Sequence, residues 1–414
     1  MFELLIRIFT ELIIPLAVKT AVFWIPVVCF IVGRKIWLEV LEKEALLAME
    51  WIMLEVKIPK DVHKTPQAME IIFSGLEQGT PDDDYFKKWW KGEHVAAFSS
   101  LEIVSIEGNV YFFVRTQKKH RGVLESLVYS QYPGAEITSV DDYTRYVPDW
   151  KPGNGWVLDT AEFYLKDADP LPIKTYVDYG LDSKSLSLDE EQKIDPITPL
   201  IEILGSLKKD EQIWIQIVIR QATKRWKNKK GEDLEWVKQG RDMIDTMITD
   251  YSSSTIGEGE KMKKVGGYKN LTPADQLKVD AIERSIQKSG FDTGIRVLYL
   301  AKKASDKKRM GAIKTAFKQF GSPHLNSFKS DGAGFKYPWD DYNNLRKNKN
   351  LQGIFKQYIN RSFFYDGLLS KKKIFTLNTE ELATIFHFPG RVAATSSFER
   401  VQAQKAEPPS NLPI

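Results

Sequence analysis

Ser206 and Lys209 stand three residues apart, as the nucleophile and base do in S-x-x-K acyl-transfer enzymes. The companion S-D-N and K-T-G motifs are missing, and the pair falls where a helix should end before a buried strand. The match therefore reads as chance. A G-x-S-x-G elbow is also absent. A P-loop needs Gly-Lys-Ser/Thr, so that backbone amides and the lysine cradle phosphates. None of the 26 glycines is followed by lysine, and no G-x-G-x-x-G follows a strand. His63, His94, His120, His324 and His387 lie far apart, outside any metal-ligand spacing. Asp82-Asp83-Asp84 reads as a solvated turn or loop. Cys29, the one cysteine, excludes an internal disulfide. It sits in an apolar run where no histidine base can reach it. These tests assign no catalytic residue, no cofactor and no metal, and the chain reads as a non-enzyme.

Basic stretches are the remaining chemical signal. KRWKNKK (224–230) sets Lys224, Arg225, Lys227, Lys229 and Lys230 around Trp226. KMKK (261–264), KKASDKKR (302–309) and KKK (371–373) add more. Cations interleaved with an aromatic suit a phosphate backbone with base stacking, or an anionic membrane surface. A solvated lysine-rich face is the plainer reading. Net charge is +4 over 414 residues, too small a sum to decide among them. Trp89-Trp90 reads as cover for the edge of its own core, with a partner anchor as the alternative.

The elements that position these residues begin with Leu12–Gly33, an apolar run whose one charge is Lys19. As helix it spans about 33 Å, enough for a hydrocarbon core of about 30 Å. No small-x-small cleavage site follows it; Arg34-Lys35 and a helical stretch do. An uncleaved single-pass anchor is expected. Arg34, Lys35 and Lys43 against Arg7 place the body in the cytoplasm, at the inner membrane.

The body reads as two similar halves. WIMLEVKIP (51–59) is a strand, and a helix follows with Thr65 as N-cap and Gly79 as stop. SSLEIVSI and NVYFFVRT form a hairpin about Glu107-Gly108-Asn109. KKHRGVLESLVYSQY is a second helix and AEITSV a last strand. The order is β-α-β-β-α-β, the ferredoxin-like arrangement. It recurs in GWVLDTAEFYL, a helix with Asp195 as N-cap, EQIWIQIVIRQ, GIRVLYLAKK, a helix, and LNSFKSD. About 70 residues intervene between the second and third strands of this half, and read as a projecting helical arm.

The expected fold class is α+β: an anchor and juxtamembrane helix (1–50), a ferredoxin-like domain (51–150), a second one (151–335) with its arm at about 222–290, and a C-terminal extension or linker (336–414).

LEVKIPKDVHKTPQAMEIIFSGL, SLEIVSIEGNVYFFVRTQKK, LVYSQYPGAEITSVDDYT, ITPLIEILGSLKKDEQIWIQIVIR and LNTEELATIFHFPG together resemble one family. It is the membrane-anchored region preceding the motor in TraC- and HerA-like ATPases of conjugation and type IV secretion in candidate-phyla bacteria. In those proteins a segment like NTEELATIFHFPG leads into a RecA-like domain with the P-loop. This chain stops before any such motor, so the resemblance carries no ATPase activity over. Asn378 or Thr379 suits an N-cap, with Glu380-Glu381 in the first turn.

The resemblance implies a membrane-anchored scaffold or assembly component beside a separately encoded P-loop ATPase, with the lipid bilayer and further copies of the chain as its other partners. The alternatives are an enzyme with a cleft between the two halves, and a nucleic-acid-binding membrane protein using the arm.

Overall fold

The computed structural model describes residues 14–59, 64–76, 95–182, 195–222, 226–227, 233–251, 271–302, 307–334, 341–364 and 374–389. Two compact units divide them, and the first holds the N-terminal helix α1 (Ile14–Ala48). Its 35 residues run unbroken through Pro26 and past Arg34-Lys35. Phe23, Trp24, Val27, Phe30 and Ile31 are exposed along it. It is the one helix among the described residues long and apolar enough to cross a bilayer.

The second unit is built on an antiparallel sheet. Its strands are β1 (Trp51–Lys57), β2 (Phe98–Ile106), β3 (Asn109–Gln117), β4 (Glu136–Ser139), β5 (Val157–Leu165), β6 (Glu211–Gln221), β9 (Gly290–Ala301), β10 (Phe328–Asp331) and β11 (Phe375–Asn378). A separate pair joins β7 (Trp226–Lys227) to β8 (Asp233–Leu234). The nine-stranded sheet runs β10-β5-β9-β6-β2-β3-β1-β4, with β11 also paired to β9. Within it, β1-β2-β3-β4 lie in the order β4-β1-β3-β2, and β5-β6-β9-β10 repeat that order as β10-β5-β9-β6. β2 and β6 join the halves along nine residue pairs, from Phe98↔Arg220 to Ile106↔Gln212.

Seven helices dress the sheet or the insertion: α2 (Gln67–Gly75), α3 (Arg121–Gln131), α4 (Thr198–Gly205), α5 (Trp236–Tyr251), α6 (Pro273–Ile286), α7 (Lys307–Lys318) and α8 (Leu345–Ile359). An eighth, α9 (Thr379–Ile385), follows β11 directly. α2, α3, α4, α7 and α9 share one core with one sheet face, through Phe73, Leu124, Ile201, Ile313 and Leu382. The other face is covered by α8 and the segment around Tyr143–Trp150, which pack Phe355, Tyr358 and Trp150 with Trp214 and Leu298. Burial on both faces explains why β6 and β9 are near-continuous apolar runs and not alternating ones.

Local chemistry sets several junctions. Glu107 and Gly108 both have positive φ (52° and 90°), as a two-residue hairpin between right-twisted strands requires. A Cβ on Gly108 would also stand 3.0 Å from the Gly205 carbonyl. Gly294 in β9 leaves room for the Phe363 ring; a Cβ there would come within 2.2 Å of it.

Five expectations change. Thr65 serves α2 with its carbonyl, 3.0 Å from the Ala68 amide, and not with its hydroxyl; the helix ends at Gly75, and Gly79 lies outside the described residues. Asp195 accepts from the Ile197 amide (3.0 Å), one turn before α4, whose own cap position is Ile197. The insertion does not project as a free arm. α5 and α6 pack on each other through Ile244, Val279 and Ile282, and this cluster takes in Leu171 and Leu325 of the body. Apolar faces on both helices are buried this way, which a solvated arm would leave wet. Nor is the stretch from 336 on a linker where it is described. β11 and α9 are buried at every residue, and α8 buries Leu351, Phe355 and Tyr358. The 150/151 boundary lies inside one compact unit, crossed by the sheet.

Candidate functional site

Two buried charge clusters stand out, one on each face of the sheet. On the α8 face, Glu102 of β2 lies opposite Gln216 of β6, so the seam between the halves carries a polar pair in an apolar surround. Arg361, just after α8, reaches this point. Its Nε and Nη2 donate to the two Glu102 oxygens at 2.9 and 3.1 Å, a bidentate clasp. It also donates to Asp142 (Nη2 to Oδ1, 3.0 Å) and to the Ile359 carbonyl (2.7 Å). Ser100 (2.6 Å), Tyr143 (2.7 Å) and Gln216 (3.3 Å) donate to the same Glu102 carboxylate. Tyr143 and Tyr358 hydroxyls meet at 2.7 Å.

The electrostatics follow from that packing. Burial works against the Arg361 charge, and Glu102 with Asp142 more than reverses it, holding its pKa well above the usual value. Burial pushes Asp142 up, and hydrogen bonding and attraction from Arg361 bring it below the ordinary carboxylate range. Burial, then Glu102, drives Tyr143 and Tyr358 upward, so both stay protonated. Arg115 stacks 4.4 Å from the Trp51 ring centroid, and burial followed by the Arg361 charge lowers it to about 10. Arg361 has φ 52°, a left-handed backbone that costs a non-glycine residue about 1–3 kcal/mol. These bonds, with a further one from Nη1 to Asp142 Oδ2, hold that conformation in place. Chemically the arrangement is a clamp: its charged atoms face one another.

On the opposite face α9 is the hub. Asn378 and Glu381 form a capping box, each side chain bonded to the other's backbone amide at 2.9 Å. Glu381 also accepts from the Ile173 amide (2.8 Å). Burial pushes its pKa to about 8, against these two backbone donors and with help from Glu380 and Asp169. Glu380 takes Arg284 of α6 at 2.7 Å and Lys288 at 2.7 Å. Lys288 and Tyr176 both bond Glu70 of α2. This cluster ties the insertion, the C-terminal segment and the first half together. His387 is packed beside it, with Nδ1 2.8 Å from the Ala383 carbonyl and Nε2 2.9 Å from Asp195.

The residues singled out in sequence fare differently. Trp226 and Lys227 form β7; Lys224, Arg225, Lys229 and Lys230 lie outside the described residues, as do Trp89-Trp90, Asp82–Asp84, His63 and His94. Ser206 ends α4, donating to the Ile203 carbonyl (2.8 Å) and accepting from Arg309 (2.8 Å), while Lys209 is exposed. A shallow depression is lined by Leu76, Phe98, Ser99, Arg220 and Phe291, where Arg220 pairs with Asp292 at 3.1 Å. No group of three or more metal-ligating side chains occurs among the described residues. Glu102, Asp142 and Arg361 escaped sequence reading. One signal was present: Glu102 is the only charge in the strand SSLEIVSI.

A family model described as a domain of unknown function (DUF8128) matches residues 39–400. No curated protein matches the chain.

Proposed function

The chain belongs to the DUF8128 family, a domain of unknown function, and from that premise we propose that it is a membrane-anchored, non-enzymatic assembly component of a conjugation- or type IV secretion-like machine. It works beside a separately encoded P-loop ATPase. α1 is its uncleaved anchor, and the basic residues after the span, Arg34, Lys35 and Lys43, hold the body on the cytoplasmic side. The sheet unit is two ferredoxin-like modules fused edge to edge. The repeated strand order, β4-β1-β3-β2 and β10-β5-β9-β6, supports that reading. Copies of the chain assemble side by side in the membrane.

One observation carries the proposal. A helix able to cross a bilayer belongs to a chain in which, among the described residues, the buried Glu102 and Glu380 carboxylates are spent on holding elements together. The competing enzyme reading needs a cleft between the halves. Nine paired residues of β2 and β6 occupy that position.

Alkaline carbonate extraction and protease protection test the anchor and its orientation. The chain should stay in the membrane pellet. Its body should resist protease in right-side-out vesicles until they are permeabilised. Release by carbonate, or digestion from outside, overturns the reading.

A further inference from the structure

We propose that the outer face of α7, with the turn that follows α4, docks the phosphate backbone of a nucleic-acid duplex. This goes beyond the assembly role and does not depend on it. Residues 302–318 contain seven lysines and arginines against one aspartate. α7 spends Met310, Ile313, Ala316 and Phe317 on the core. Lys308, Gly311, Thr315 and Lys318 therefore face out together, at i, i+3, i+7 and i+10, and all four are exposed. The turn brings Lys208 and Lys209, also exposed, to the same end of the helix. Arg309 fixes that turn by donating to the Ser206 hydroxyl (2.8 Å) and carbonyl (3.0 Å). Among the described residues, the acids bordering the face include Glu202, exposed on α4, Asp210, which holds Lys302 at 3.3 Å, and Glu211, which holds Arg309 at 3.3 Å.

The make-up of the face selects the partner. A lipid surface is gripped by inserted aliphatic or aromatic side chains as well as by charge. Among the described residues, none of the exposed large hydrophobics falls in 206–211 or 302–318. Single strands are held by stacking on exposed aromatics, and the one aromatic of α7, Phe317, is buried. Charge without anchors or stacking platforms is the pattern for backbone contact with a duplex. Small residues sit in the middle of the stripe; a Cβ on Gly311 would meet nothing within 4 Å. That opening lets a phosphate chain approach closely. From Lys308 to Lys318 the helix rises about 15 Å, roughly the axial length of four base pairs.

The test uses the full chain in nanodiscs of neutral lipid and a fluorescent 30-base-pair DNA duplex, titrated by anisotropy across a range of potassium chloride concentrations. Lys208→Glu, Lys308→Glu and Lys318→Glu together should weaken binding at least about 10-fold and flatten the log–log salt slope by about 2 to 3. Arg346→Glu, Lys349→Glu and Lys356→Glu, on α8 across the sheet, should change affinity by less than about 3-fold. Thermal melting establishes that both variants fold. Equal loss from both sets overturns the proposal. So does duplex binding that depends only on Lys227, Lys229 and Lys230, or a triple variant that loses phosphatidylserine vesicles but keeps the duplex. Absence of any salt-dependent duplex binding does the same.

Discussion

Arg361 shows how much one side chain can hold. It is 1% exposed and bonds Glu102, Asp142 and the Ile359 carbonyl. Arg361→Met leaves Glu102 buried and Asp142 half-buried without their cation, which should cost about 3–5 kcal/mol in urea unfolding. Adding Glu102→Gln should recover part of that loss; a double variant weaker than the sum of its singles would contradict the clamp. Glu381 predicts a pH dependence. Its folded pKa is raised to about 8 by burial, above the unfolded value of 4.5, so the folded state binds the proton more tightly. Stability from this group is fully present below pH about 4.5 and is lost as pH rises toward 8, by up to about 1.4 kcal/mol per pH unit. Glu381→Gln should flatten that part of the Tm profile, so that the variant gains on the wild type as pH rises toward 8. A wild-type profile that climbs from pH 5 to 8 while the variant stays flat would reverse the sign. The capping chemistry of Asn378 and Glu381 was legible in sequence, because it needs only residues three apart. Burial of Glu380 was not, since its partners Arg284 and Lys288 lie more than 90 positions earlier.

Elements were legible in proportion to how locally they are specified. The hairpin at Glu107-Gly108, the eight strands on the path of the large sheet and most helices before residue 336 follow from apolar periodicity and turn residues. The helices of the insertion were visible, but not their docking, which depends on apolar contacts with Leu171 and Leu325. LNTEELATIFHFPG looked like an exit toward another domain; it is a strand and helix in the core. Its aromatics touch distant elements: Phe386 packs with Phe112 of β3 (5.7 Å between ring centroids) and Phe73 of α2 (6.5 Å). Phe386→Ala should therefore destabilise the sheet unit by about 3–5 kcal/mol, measured by urea denaturation of the detergent-solubilised chain. A loss below about 1 kcal/mol would place the segment outside the cooperative core. Gly294→Ala should cost about 1–3 kcal/mol by pushing on Phe363, and Phe363→Leu should relieve part of it.

At the scale of the whole molecule, the repeated strand order was readable from two runs of β-α-β-β-α-β, and the fusion was not. A hint lay in EQIWIQIVIRQ, whose unbroken apolar character demanded cover on both faces. Which edge it would share with the first half depends on the β2–β6 register, which no local pattern encodes. The result is a continuous sheet with its short strands β4 and β10 at the ends of the path, tied to a helix fit to cross a membrane. The proposed role is that this body serves an energy-coupled machine without hydrolysing nucleotide itself. It is tested by affinity purification of the full chain from its native membranes after in-cell crosslinking, with mass-spectrometric identification of the crosslinked peptides. Crosslinks should run from the body to a separate P-loop ATPase, and ATP hydrolysis should disappear when that protein is stripped away. Hydrolysis that stays with the stripped, pure chain would contradict it, as would an intact crosslinked assembly holding no ATPase.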